Sequence, residues 1–311
     1  MAERRSVAAD VVGSKPTSRP NHPLLVPLRP ARQAEIPARR LRDTFLPRAP
    51  KFNATPAASL APSPANLFVG TSGWAYPTWK PGFYPADVPS RAFLPVYASK
   101  LTSVEVNYTF RTLPTRPQLQ GWLDATPPGF RFSFKAPQRI THFQRLRGSQ
   151  EAVAEFIAAL EPAREAGKLG PLLFQLPPNF PADLQRLKDF LTSLEFSNGL
   201  QIAFEFRHAS WFTQDTYALL LQRNATLCVA ESNDLVTPDI QTSKYRCYRL
   251  RREGGYSTAE LNTFAARFTK LSKEGEVYVY FKHEDEPTGA LNALAMLHRA
   301  TKLATSKTGA R

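Results

Sequence analysis

Gln201-Ile202-Ala203-Phe204-Glu205-Phe206-Arg207-His208 is apolar at nearly every position until charged residues enter at its end. A run this short and this apolar reads as a parallel β-strand covered on both faces. Side chains alternate along a strand, so Glu205 and Arg207 share one face and Phe204 and Phe206 the other. The aromatic face belongs under a layer of helices. The charged face then points to the inside of whatever the sheet encloses.

Seven similar runs lie on either side: Leu67–Thr71, Ser103–Asn107, Arg131–Lys135, Pro171–Leu176, Thr226–Ala230, Tyr245–Leu250 and Val277–Lys282. Helical stripes fall between most of them. Val153, Phe156, Ile157 and Leu160 follow Ser149 as N-cap, and Leu184, Leu187, Leu191 and Leu194 follow Pro181 in the first turn. Thr213 can cap a helix carrying Tyr217, Leu220 and Leu221, and Ser257 with Glu260 has capping-box spacing. Leu291, Leu294 and Ala295 mark a last helix, while the signal is weakest between the sixth and seventh strands. Eight strands with helical crossovers leave a closed barrel or an open doubly wound sheet. The open sheet advertises a Gly-rich phosphate turn after its first strand, and none is present. The expected fold is therefore α/β, a single (β/α)8 TIM-like barrel over residues 66–303.

Composition supports this and removes an early temptation. The chain has 311 residues, 42% of them hydrophobic, enough for one large core. Its net charge of +14 suggests a polyanionic partner until it is divided. Residues 1–65 hold 11 Lys/Arg against 4 Asp/Glu, so half of the charge sits in a fifth of the chain. That stretch also holds 11 of the 28 prolines and reads as a disordered basic extension. An organelle transit peptide and a polybasic contact are the competing readings. Residues 304–311 read as a frayed C-terminal tail. No run approaches a membrane span, no secretory signal is read, and a cytoplasmic location is expected. Cys228 and Cys247 sit in apolar strand-like runs and read as buried thiols.

Barrel enzymes carry their chemistry where strands run into the following loops. Those positions hold Ser72, Trp74, Tyr76, Glu105, Asn107, Lys135, Gln175, Glu205, Arg207, Trp211, Arg249, Arg251, Lys282 and His283. Parity puts Glu105 with Asn107 and Glu205 with Arg207 on inward faces, where charges are costly unless paired. Glu105, Lys135, Glu205, Arg207 and Arg249 are expected to form one compensating network.

These residues also carry a resemblance. Gly70-Thr71-Ser72-Gly73-Trp74-Ala75-Tyr76, Val104-Glu105-Val106-Asn107 and Phe134-Lys135-Ala136-Pro137 resemble the YecE-like family, domain of unknown function 72. Leu173-Phe174-Gln175-Leu176-Pro177-Pro178, Glu205-Phe206-Arg207-His208-Ala209-Ser210-Trp211 and Tyr278-Val279-Tyr280-Phe281 continue it in order. The resemblance spans about Phe68 to Leu297. It implies a TIM barrel and no particular activity. Two places depart from the family pattern: Arg251-Arg252 stands where His-Gly is often found, and Lys282-His283 where the eighth strand commonly ends in Asn. Both departures add cations.

The expected function is that of a hydrolase or lyase acting on an anionic, phosphorylated or nucleotide-like small molecule. Glu105, Glu205 and Lys135 are the catalytic candidates. Asn107, Gln175, Arg207, Arg249, Trp74, Tyr76 and Trp211 are the substrate-binding candidates. No cofactor and no metal residue is assigned. A divalent metal held by His142, His208 and His283 with nearby carboxylates is the alternative, without HxH or HExxH spacing to sharpen it. A nucleic-acid-binding or nuclease-like barrel and a non-catalytic ligand-binding protein are the other two readings.

Overall fold

The computed structural model of the protein describes residues 59–194, 199–232, 235–282 and 285–306. Expectations for the tail up to residue 58, for His283 and for residues 307–311 lie outside them. The first half alternates β1 (Leu67–Thr71), α1 (Phe93–Ala98), β2 (Ser103–Val106), α2 (Arg116–Asp124), β3 (Arg131–Lys135), α3 (Gln150–Ala159), α4 (Glu161–Glu165) and β4 (Leu169–Gln175). The second half continues with α5 (Leu184–Ser193), β5 (Ile202–Glu205), α6 (Gln214–Gln222), β6 (Thr226–Leu227) and β7 (Val229–Glu231). It ends with β8 (Arg246–Leu250), α7 (Thr258–Leu271), β9 (Val277–Phe281) and α8 (Thr288–Thr305).

The fold is α/β with parallel sheets. One sheet runs β1-β9-β8-β7 and the other β2-β3-β4-β5-β6, and every strand pair within them is parallel. The sheets meet along two seams. At the first, the Thr102 amide donates to the Val69 carbonyl at 3.1 Å, and Ser72 bridges Glu105 in parallel. At the second, the sixth expected strand turns out to be two. Residues 226–227 pair with β5 and residues 229–231 with β8, and between them the Cys228 amide donates to the Phe204 carbonyl at 2.8 Å. One run of chain thus leaves one sheet and enters the other.

Local chemistry explains most boundaries. Thr213 accepts from the Thr216 amide, and Ser257 and Glu260 form the expected capping box. Two expected caps differ. Ser149 occupies the N-cap position, but its hydroxyl donates back to the Leu146 carbonyl at 3.3 Å. Asp183, not Pro181, starts α5, because its carboxylate accepts from the Arg186 amide at 3.0 Å. Among the described residues no helix joins β7 to β8. That link is fastened instead by Thr242, whose hydroxyl donates to the Ala225 carbonyl and accepts from the Leu227 amide, both at 2.8 Å.

The last helix forms where Leu291, Leu294 and Ala295 marked it, and Leu294 and Ala295 pack at the edge of its buried face. Ala290, Ala293, Met296, Leu297 and Ala300 lie inward, and Leu291 is exposed. Three alanines on that face let α8 lie close to the sheet, with Met296 and Leu297 filling the space between them. The domain edges also move. Ala61 is in the core and the Thr301 hydroxyl donates to the Pro62 carbonyl at 2.9 Å, so packing begins before Asn66, while α8 continues to Thr305. No helix among the described residues is long and apolar enough to cross a membrane.

Candidate functional site

The C-terminal strand ends bring ions together in the interior. Arg249 on β8 is the centre: its Nε donates to Glu105 Oε2 at 2.8 Å and its Nη2 to Glu105 Oε1 at 2.7 Å. Its Nη1 donates to Glu205 Oε2 and, at 3.4 Å, to Gln175 Oε1. The Ser72 hydroxyl donates to Glu105 Oε1 at 2.8 Å, and Arg207 Nε donates to Glu205 Oε1 at 2.8 Å. Glu105, Glu205 and Arg249 are each 1% exposed, so these bonds replace water. The two carboxylates do not face each other across an open mouth. A guanidinium lies between them.

That arrangement sets the charge states. Burial acts to raise the Glu205 carboxyl, but Arg249 and then Arg207 outweigh it and hold it at about 2. Burial likewise disfavours the charged Arg249, yet Glu105 and Glu205 leave it with a proton affinity well above an ordinary arginine. Two carboxylates against Arg249 and Arg207 come to neutrality. A further cation beside these four without a carboxylate of its own is then surplus.

Two such cations are present. Arg251, just past β8, is pushed down to about 10, first by Arg249 and then by burial. Lys135, ending β3, is pushed down to about 8, chiefly by burial and then by Arg249, with Glu105 and Glu205 only partly restoring it. Among the described residues neither side chain has a carboxylate within ion-pair distance. The Lys135 ammonium rests over the Phe110 ring, 4.2 Å from its centre. His142, in the turn after β3, packs its ring edge-on to the same Phe110 at 4.9 Å. Burial, then Lys135, Arg207 and Arg145, depress its proton affinity and favour the neutral imidazole.

A measurable consequence follows for Lys135. Its ammonium is harder to keep in the folded protein than in the unfolded chain, so the penalty is complete below about pH 8. It fades as pH rises toward the ordinary lysine value of 10.5. A Lys135→Met protein is therefore expected to be more stable than the parent at pH 7, by about 1 kcal/mol, and to lose that advantage near pH 10. Thermal melts at the two pH values check this; a variant less stable at pH 7 contradicts it.

A cleft of about 420 Å³ opens beside the network, lined by Glu205, Arg207, Ser232, Thr237, Arg251 and Lys282 among others. Lys282 also reaches Glu253 at 3.4 Å. Three cations, two hydroxyls and two carboxylates thus surround the space: Glu205, deep and bound by two arginines, and Glu253, exposed and paired with Lys282. Asn107, just past β2, has its Oδ1 buried with no partner among the described residues.

The aromatic candidates separate. Trp211 is fully buried, donates its Nε1 to the Phe180 carbonyl at 2.8 Å and stacks on Phe206 at 4.6 Å, so it packs the core and has no face for a ligand. Tyr76 donates to the Ser72 carbonyl at 2.9 Å and tilts against Trp79 at 4.7 Å. Trp74 is half-buried and meets Trp122 edge-on at 5.3 Å, and Trp122 meets the exposed Tyr108 at 6.2 Å. Trp122 lies on α2, so reading strand ends could not find it. His208 accepts from the Ser210 amide at 3.3 Å and shapes the loop before Trp211. Among the described residues no three His, Cys, Asp or Glu side chains converge as a metal set.

A family model described as a protein of unknown function, DUF72, matches residues 68–310. The UPF0759 protein YecE of Escherichia coli K12 is 32% identical over 160 residues, which is 50% of this chain and 54% of that protein. The UPF0759 protein YunF of Bacillus subtilis 168 is 28% identical over 155 residues, 49% of this chain and 54% of that protein. The aligned part thus spans about half the length of these curated relatives. A crystal structure of a DUF72 family protein from Thermotoga maritima has a TM-score of 0.65 at 28% identity, covering 77% of this chain and 99% of that one. One from Enterococcus faecalis has a TM-score of 0.63 at 20% identity, covering 75% and 95%, a likeness of fold alone.

Proposed function

The chain belongs to the DUF72 family, whose description assigns no reaction, and from its own geometry we propose that it is a (β/α)8 barrel whose mouth binds a small anion. Closure is supported by the two seams, where β1 bonds β2 and the chain at Cys228 passes between sheets. The barrel domain takes residues 66–303 with the few packed residues that precede it. A cytoplasmic location is in keeping with Cys228 and Cys247, whose sulfurs lie 3.5 Å apart as free thiols.

One observation carries the binding reading: Arg207, Arg251 and Lys282 line a single cleft over a carboxylate that is already neutralised. Clustered guanidinium and ammonium groups with little water between them suit a phosphate or a carboxylate. In this reading Arg249 and Gln175 serve beneath the site, holding Glu105 and Glu205, rather than touching the ligand. Asn107 would orient the bound molecule through its unpartnered carbonyl oxygen. Trp74, in edge-on contact with Trp122, and Tyr76, bonded to the Ser72 carbonyl, would support the turn that leads to Glu105.

Calorimetric titration with inorganic phosphate tests the reading. The parent protein is expected to bind it, and Arg251→Gln to bind it roughly tenfold or more weakly, in line with loss of one charge-assisted hydrogen bond. Unchanged affinity would remove the cleft from consideration. A nucleic-acid interface would show itself differently, by binding that collapses steeply with added salt.

A further inference from the structure

We propose that Lys135 is a nucleophilic amine that forms a Schiff base with an anionic carbonyl compound, a 2-oxo carboxylate or a phosphorylated aldehyde. The inference rests on the anion reading above, since the cleft cations would hold the charged end of that molecule.

The argument begins with what Lys135 lacks. A lysine at the inner end of a strand, next to two glutamates, would ordinarily pair with one of them. Here Glu105 is taken by Arg249 and Ser72, and Glu205 by Arg249 and Arg207. Among the described residues Lys135 is left with the Phe110 ring beneath its nitrogen at 4.2 Å. Burial and the guanidinium of Arg249 then bring its proton affinity down to about 8. Desolvation and a cationic neighbour are the two ways in which a lysine is made nucleophilic near neutral pH. Both act on this one residue.

Its surroundings suit the rest of the reaction. Lys135 ends β3, which lies between β2, carrying Glu105, and β4, carrying Gln175, so the amine rises from strand ends next to those of the Arg249 network. Arg207, which lines the cleft, also weighs on it. His142 packs on the same Phe110 ring and is favoured in its neutral form. The Thr141 hydroxyl donates to the Pro137 carbonyl at 3.3 Å and accepts from His142 Nδ1 at 2.9 Å, which leaves Nε2 as the proton-accepting atom.

The step balances without an oxidant. The Lys135 Nζ lone pair adds to the carbonyl carbon, a C–N bond forms, and the C=O π pair moves to oxygen. Two protons leave the nitrogen, one as the ammonium ionises and one after the addition, and both are returned to the oxygen with His142 as the carrier. The C–O bond then breaks, water departs, and a protonated imine remains. That cation withdraws electrons from the neighbouring carbon–carbon or carbon–hydrogen bond, which is lyase chemistry.

Reductive trapping decides it. The full-length protein is incubated at neutral pH with pyruvate or glycolaldehyde phosphate and then borohydride, and the modified lysines are mapped by peptide mass spectrometry. Labelling of Lys135 is expected to exceed that of the exposed Lys188 and Lys270 by roughly tenfold or more. Excess inorganic phosphate should suppress it, and Lys135→Arg should abolish it while still binding phosphate. Phosphate binding without preferential labelling of Lys135 overturns the Schiff-base proposal and leaves the anion reading intact. Labelling that phosphate does not suppress keeps the nucleophile and overturns its link to the cleft. Because the mapping is done on the parent protein, its outcome does not depend on the variant folding.

Discussion

Arg249→Ala is expected to lose about 3–5 kcal/mol of folding stability, because it strands two buried carboxylates at once. Arg249 satisfies both oxygens of Glu105 and one of Glu205, and all three side chains are 1% exposed. Without the guanidinium, Glu105 keeps only the Ser72 hydroxyl and Glu205 only Arg207. Each must then take up a proton or draw in water. Arg249→Lys should recover little, since one ammonium cannot reproduce a bidentate bond to Glu105 and also reach Glu205. Urea unfolding measures the loss. A fall below about 1 kcal/mol would mean that water reaches these carboxylates and that the network is not dry. Replacing the whole trio, Glu105→Gln and Glu205→Gln with Arg249→Met, should cost less than the single change, because the one ion left unpaired, Arg207, is partly exposed to water.

The second large effect lies in the backbone at the first seam. Gly70 on β1 faces β2 so closely that an added Cβ would stand 1.9 Å from the Ser103 carbonyl oxygen and 2.9 Å from the Tyr97 hydroxyl. Neither neighbour has slack. Ser103 is paired with β3, and the Tyr97 hydroxyl accepts from the Thr71 amide at 2.8 Å while donating to the Ser103 carbonyl. Gly70→Ala must therefore push β1 away from β2, at a cost of about 3 kcal/mol. The same motion would pull Ser72 from Glu105, so ligand binding should fall with stability. Urea unfolding with phosphate titration reads both. An alanine tolerated without loss would mean that the two sheets are not held together there.

Much of this architecture was legible in the chain because strand parity and apolar runs are local properties. The bounds of β1 and β3 fall where the runs do, and the inward placement of Glu105 with Glu205 follows from alternation. What was not legible depends on partners distant in sequence. Trp211 sits in a strand-end loop like any ligand-stacking aromatic, and nothing local announces the Phe180 carbonyl that takes its indole proton. Arg249 reads as an anion-binding group until its guanidinium is seen filled by two glutamates, which passes that role to Arg251. In α8 the leucines mark the helix but not which of them is buried: Leu297 is inside and Leu291 exposed. The division at Cys228 is invisible for the same reason: strand identity belongs to the neighbours, and these change midway.

The two departures from the family pattern, Arg251 and Lys282, both line the cleft. In the proposed reading, the cations added there strengthen the preference for an anion; loss of an activity is the other outcome that such a change can have. Lys135 fits the same pattern of charge, since its ammonium is unwelcome in the folded protein and its retention costs stability.

The most direct test is a crystal of the protein soaked with tungstate, a phosphate-like anion whose anomalous scattering marks its position. Density bound between Arg207, Arg251 and Lys282 is the expected result. Anions found only on the outer surface, with that cleft holding none, would contradict it.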